Sequence, residues 1–135
     1  MGSNHLETGN ILKDSRTMTL KKVINNHFPF KGYTALTFCP LIFVRGDLKH
    51  KFNAVVERHE TTHALQQIEC LWVFFLLIYG LEYLIKLPLC KFNHSRAYRS
   101  ISFEREAYLW QCDKYYNQLR PHYSWRYFVF KLYNR

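Results

Sequence analysis

Residues 70–81, CLWVFFLLIYGL, form a run that is apolar on every side. A helix of that composition offers no face to water and has to be buried, in protein or in lipid. The run falls short of the ~20 apolar residues that cross a bilayer. Glu69 and Glu82 bracket it, and Lys86 follows. These limits favour a central core helix over a membrane-inserted one, with an interfacial or re-entrant placement as the alternative. The helix has an early start. Asn53 is a good N-cap, helical propensity persists from residue 54 to residue 87, and Pro88 is expected to end it. One straight helix over 54–87 would reach roughly 50 Å, long for a small domain, so a break is expected near residues 66–70 or near Gly80.

The chain has 135 residues, the size of one domain, which buries a core without disulfide staples. Its hydrophobic content of 48% excludes a disordered chain. Ten Tyr and eleven Phe demand a large packed interior, a membrane surface or a partner. Residues 1–22 are polar and lack the apolar stretch of a signal peptide. Residues 1–17 read as a disordered or tag-like extension, with Met18 as a second start, leaving a single domain over 18–135. Cys39, Cys70, Cys90 and Cys112 form no C-x-x-C pair, which removes a cysteine-type metal site. Three of them sit beside large apolar residues, as buried free thiols do. The expected location is a reducing one, the cytoplasm, with membrane association as the other reading.

Residues 23–32 hold Asn25, Asn26, Pro29 and Gly32 and read as irregular structure. Residues 33–45 are rich in β-formers, and Pro40 divides them into two short strands or one interrupted edge strand. Gly46 and Asp47 signal a turn. After Pro88 a basic connection runs through residues 91–99. A further helix is expected over 102–119, with Ser102 as N-cap and Glu104 and Glu106 in the first turn. Pro121 breaks it, and residues 124–133 carry helical spacing suited to a terminal helix. The fold class is mainly α with a small N-terminal β element (α+β).

His59-Glu60-Thr61-Thr62-His63 is an H-E-x-x-H motif inside the expected first helix. Residues at i and i+4 share a helix face, so both imidazoles can reach one ion at the ~2.0–2.1 Å that zinc requires. Glu60 lies too far round the helix to ligate easily and is placed to take a proton from water at the metal. The bland alternative is two exposed histidines in a His-rich chain. A catalytic zinc has three protein ligands, and the candidates for the third are Glu69, Glu82, His94, Glu104, Glu106, Asp113 and His122. The segment Phe103-Glu104-Arg105-Glu106-Ala107-Tyr108 is the best source, because it opens a second helix able to cross the first. Glu104 and Glu106 are about 200° apart round that helix, so only one of them can face the ion.

His59 to His63 followed by Glu104-Arg105-Glu106-Ala107-Tyr108 resembles the gluzincin metallopeptidases, whose third ligand is a Glu on a downstream helix in an E-x-x-A-D or related pattern. Membrane-associated CAAX-processing and heat-shock proteases carry it, as do BlaR-type sensors. The resemblance implies a zincin-like domain, with the metal site between the H-E-x-x-H helix and a downstream helix. It implies Glu104 as the ligand, with Glu106 as the alternative, and places Tyr108 where those families have an Asp that orients a ligand histidine. Glu57 is a second departure, a charge where zinc peptidases usually carry an uncharged residue. The chain is also similar, over most of residues 28–130, to a group of small Bacteroidetes proteins with the same order of motifs.

The resulting expectation is a zinc-dependent metallopeptidase with one zinc ion, ligands His59, His63 and Glu104, Glu60 as general base and a peptide or protein as substrate. Tyr108, His94, Tyr98 and Arg99 are candidates for stabilising the oxyanion. Two other readings stand beside it. One is a metal-binding protein without catalysis. The other is a basic protein of membrane surfaces or nucleic acid, motivated by the net charge of +9. Nucleic acid is the weaker partner, since no recognised nucleic-acid motif is present.

Overall fold

The computed structural model describes residues 20–27 and 33–133. The extension at 1–17, the second start at Met18, and Pro29 and Gly32 lie outside the described residues. Strands β1 (Lys21–Asn25), β2 (Ala35–Phe38) and β3 (Leu41–Arg45) form a sheet in the order β1-β3-β2. β1 runs parallel to β3, and β2 runs antiparallel to it. The strand at β1 corrects the irregular structure expected from residue 23 onward. Val23 and Ile24 are β-branched and pair with Phe43 and Val44, and this ladder outweighs the turn preference of the asparagines behind them. Pro40 sits in the turn between β2 and β3, where its missing N–H removes no ladder bond.

A 3-10 turn (Gly46–Lys51) leads to α1 (Ala54–Glu69), capped by Asn53, whose Oδ1 accepts from the Val56 N–H at 3.0 Å. The chain then breaks and bends by 113° into α2 (Val73–Leu89). Leu71 and Trp72 carry the break at φ 53° and 55°, a region costly for bulky side chains. Trp72 is held there by its indole N–H, which donates to the Cys39 carbonyl at 3.2 Å. Pro88 does not stop α2 but lies inside its last turn. α3 (His94–Ser100) lies within the expected basic connection. It forms because Asn93 Oδ1 accepts from the Arg96 N–H at 3.0 Å, a cap that the basic composition of the segment obscures.

The helix expected over 102–119 is two pieces, α4 (Ser102–Trp110) and α5 (Tyr116–Leu119). Between them Asp113 Oδ1 accepts from the Tyr115 N–H at 2.9 Å, a local bond that competes with the helix ladder. Ser102 is the first residue of α4 rather than its cap. The carboxylate of Glu82, reaching across from α2, takes the Ser102 N–H at 2.9 Å and also bonds its hydroxyl. The terminal helix expected over 124–133 is reduced to a 3-10 segment (Ser124–Phe128).

Phe75, Ile101, Phe103, Trp125 and Cys70 form the buried apolar cluster. Cys39 and Cys90 are also buried, and Cys112 is exposed. The expectation of α2 as a central core helix is overturned. Its leucines face outward, with Leu77 61% and Leu84 67% exposed, while Glu82 and Lys86 are 7% and 5% exposed. The reason is polar. Lys86 Nζ bonds Glu82 at 2.6 Å and donates to the Ser100 carbonyl, so the pair satisfies the open backbone ends where α3 turns into α4. α1 crosses α4 and also packs on β2, and these two contacts position the site.

Candidate metal centre

The crossing of α1 and α4 brings His59, His63 and Glu104 together, all buried. His59 Nε2 lies 3.2 Å from His63 Nε2 and 3.2 Å from Glu104 Oε1, and His63 Nε2 lies 3.1 Å from Glu104 Oε2. A tetrahedral site with bonds of ~2.0–2.1 Å has ligand–ligand edges of about 3.3 Å. The His59–His63 edge and each histidine–carboxylate edge are close to that length, the two carboxylate edges falling on different oxygens of Glu104. Among the described residues the cluster supplies three donors and no fourth. This buried group can hold a metal ion.

The nitrogen that each histidine turns away from the triangle is also engaged. His59 Nδ1 is 2.9 Å from Gln111 Oε1, and His63 Nδ1 is 2.8 Å from Gln66 Oε1. An amide oxygen only accepts, so each imidazole donates from Nδ1 and turns Nε2 toward the triangle. Gln66 is oriented in turn, since its Nε2 donates to the Phe103 carbonyl at 3.1 Å and to Glu106 Oε1 at 2.9 Å. The Tyr79 hydroxyl donates to Glu104 Oε2 at 2.8 Å and fixes the carboxylate.

Burial pushes the Glu104 carboxyl up, but the two histidines outweigh it and hold it well below the usual carboxylate range. Burial pushes His63 down, and Glu104 reverses that and raises it to about 9.

Glu60 stands outside the triangle. Its Oε1 accepts from Thr37 Oγ1 at 2.6 Å, and Thr37 also bonds the Glu60 carbonyl at 3.1 Å. Strand β2 thus holds the carboxylate, while Gln67 clips that strand to α1: its Nε2 donates to the Thr37 carbonyl at 2.8 Å, and its Oε1 takes the Cys39 N–H at 2.7 Å. Among the described residues Glu60 Oε2 makes no hydrogen bond.

The other third-ligand candidates are used elsewhere. Glu69 binds Arg120 at 2.7 Å and is approached by His122 at 3.3 Å. Glu82 belongs to the Lys86 pair, His94 meets the Tyr83 hydroxyl at 2.5 Å, and Asp113 closes its own turn. Glu106, the alternative ligand, is fully buried. It accepts from Arg120 Nε at 2.7 Å and from the Tyr116 hydroxyl at 2.8 Å.

Tyr108 makes a T-shaped contact with His59, with centroids 4.4 Å apart, and the Arg99 guanidinium lies over its ring at 3.8 Å. Gln66, Gln111, Tyr79 and Thr37 were not anticipated as part of the site. Only Gln66, one turn beyond His63 on the same helix, had a spacing signal that could have found it.

No protein-family model, curated protein or solved structure matches this chain.

Proposed function

We propose that this protein is a zinc-dependent metallopeptidase, with His59, His63 and Glu104 as ligands and Glu60 as general base. The observation that carries the reading is the division of labour between two buried acids. Glu104 belongs to the donor triangle, whereas Glu60 is tied by one oxygen to Thr37 with its other oxygen unbonded. Zinc held by His59, His63 and Glu104 would supply Lewis-acid polarisation and acidify a water. Glu60 would hold the proton released and pass it to the leaving amine. The two glutamines keep both imidazoles aimed, and Tyr79 keeps Glu104 from rotating away. Burial raises the Tyr108 hydroxyl, and its ring packs against His59.

A peptide substrate is favoured by the strand that holds Glu60. The Arg45 N–H donates to the Thr34 carbonyl at 3.0 Å, which sets the pairing of β2 with β3. The backbone groups of Ala35 and Thr37 then point away from β3, and an extended peptide can add to that edge where Gln67 does not occupy it.

A second reading, metal binding without catalysis, is favoured by Tyr108, which fills the place beside His59 with a ring. Elemental analysis combined with hydrolysis of a peptide library separates the two. Wild type and Glu60→Gln should carry one zinc per chain, Glu104→Ala none, and only wild type should cleave. Zinc retained in a wild-type protein that cleaves nothing supports the second reading. Iron or manganese in place of zinc, or full activity in Glu60→Gln, overturns the proposal.

A further inference from the structure

Helix α2 is amphipathic in the inverse sense to a soluble helix. Its charged residues, Glu82 and Lys86, face the protein and pair at 2.6 Å, while Phe74, Leu77, Leu81, Leu84, Ile85 and Leu89 are all more than half exposed. At 100° per residue the exposed positions cover an arc of about 200°. The arc holds no charged or polar side chain, and Gly80, which lies on it, has open space where a Cβ would stand. The pattern matches helices in a lipid environment, where ionisable groups turn to the protein interior and pair with one another.

From this geometry we infer that α2 docks the protein on an anionic bilayer surface, lying in the interface with its apolar arc in the acyl region. The breadth of the arc argues for lipid over a second copy of the chain. A helix–helix seam covers a narrow stripe, whereas a bilayer wets the whole outward half. Charge complementarity argues for anionic lipid. The chain carries a net charge of +9, and exposed Lys91 stands beside exposed Phe92 just past the end of α2. The attachment lies along the surface. No single described helix is long and apolar enough to cross a membrane, and α1 turns away from α2 by 113°. Because Tyr79 of α2 bonds Glu104, the docked helix also carries a support of the metal triangle.

The test is flotation of the full chain with phosphatidylcholine vesicles, with and without phosphatidylglycerol, beside sedimentation analysis of its oligomeric state. Wild type should float with the anionic vesicles, more weakly in high salt. Leu77→Gln/Leu84→Gln, which alters only exposed positions, should float at least about tenfold less with an unchanged circular dichroism spectrum. No flotation with either vesicle overturns the inference, as does equal flotation of the double variant. A stable dimer that ignores vesicles and is broken by the double variant overturns it in favour of a second copy. If the double variant fails to fold, Leu81→Trp decides: its fluorescence should be quenched by brominated acyl chains, and an unquenched signal sinks the idea.

Discussion

His63 Nδ1 lies 2.8 Å from the Gln66 side-chain oxygen, one helical turn further along α1. Gln66 is fully buried and spends its amide nitrogen on the Phe103 carbonyl and on Glu106. The orientation of a candidate ligand is thereby tied to α4, the helix that supplies Glu104. The metal triangle and the packing of the two helices are one structure.

The glutamines should therefore control metal affinity. Gln111 is the cleaner test, because it is half-buried at the end of α4 and bonds His59 at 2.9 Å. Gln111→Ala should weaken metal binding about 10–100-fold, the usual cost of losing such a support. Competition against a chelator measures this, and the far-ultraviolet circular dichroism should not change.

Glu104 and Glu106 should separate under mutation. Glu104→Ala should remove the metal while leaving a folded chain. Glu106→Ala takes from Arg120 one of its two carboxylate contacts described above, and leaves Gln66 and Tyr116 each short of a partner. Breaking a buried ion pair from one side costs about 3–5 kcal/mol, so urea denaturation should show a loss of that order. Metal lost from Glu106→Ala and retained by Glu104→Ala would contradict the division of roles.

How much of this was legible in the sequence depends on the range of the interactions involved. The His59–His63 pair and the Asn53 cap could be read directly, because helical spacing and capping are local. Glu104 as partner came from a resemblance in motif order, since spacing alone left Glu106 open. The break after α1 was anticipated from length alone. The strand at β1 and the inward turn of Glu82 and Lys86 were not legible, because each depends on a distant partner: β3 for the strand, and the Ser100–Ser102 corner for the charges. An all-apolar run states that a helix must be covered without stating by what. That is why α2 was expected in the core and stands on the surface.

Thr37 is a positioning residue for the proposed base. Its hydroxyl meets Glu60 Oε1 at 2.6 Å, and its carbonyl is clipped by Gln67. Thr37→Val removes the first contact and keeps the second. On any peptide that wild type cleaves, kcat should fall about tenfold, equivalent to roughly 1.4 kcal/mol, with unchanged metal content. A change in KM alone would assign Thr37 to substrate binding instead.

Protons and metal should compete for the triangle. Glu104 raises His63 to about 9 against the counteracting effect of burial, and the histidines hold Glu104 well below its usual range. After chelator treatment the contribution of His63 to stability should be complete below about pH 6.5 and should fade as pH rises through about 9. Glu104 gives the opposite limb: its contribution is present above its unfolded value and is lost as pH falls through its lowered folded value. The melting temperature of the stripped protein should thus fall on the alkaline side, as pH rises through about 9. Metal binding at neutral pH has to expel the His63 proton. Titration calorimetry in buffers of differing ionisation enthalpy should therefore record proton release on zinc addition, diminishing as pH approaches 9. Zinc uptake without proton release at neutral pH would mean that His63 is not a ligand.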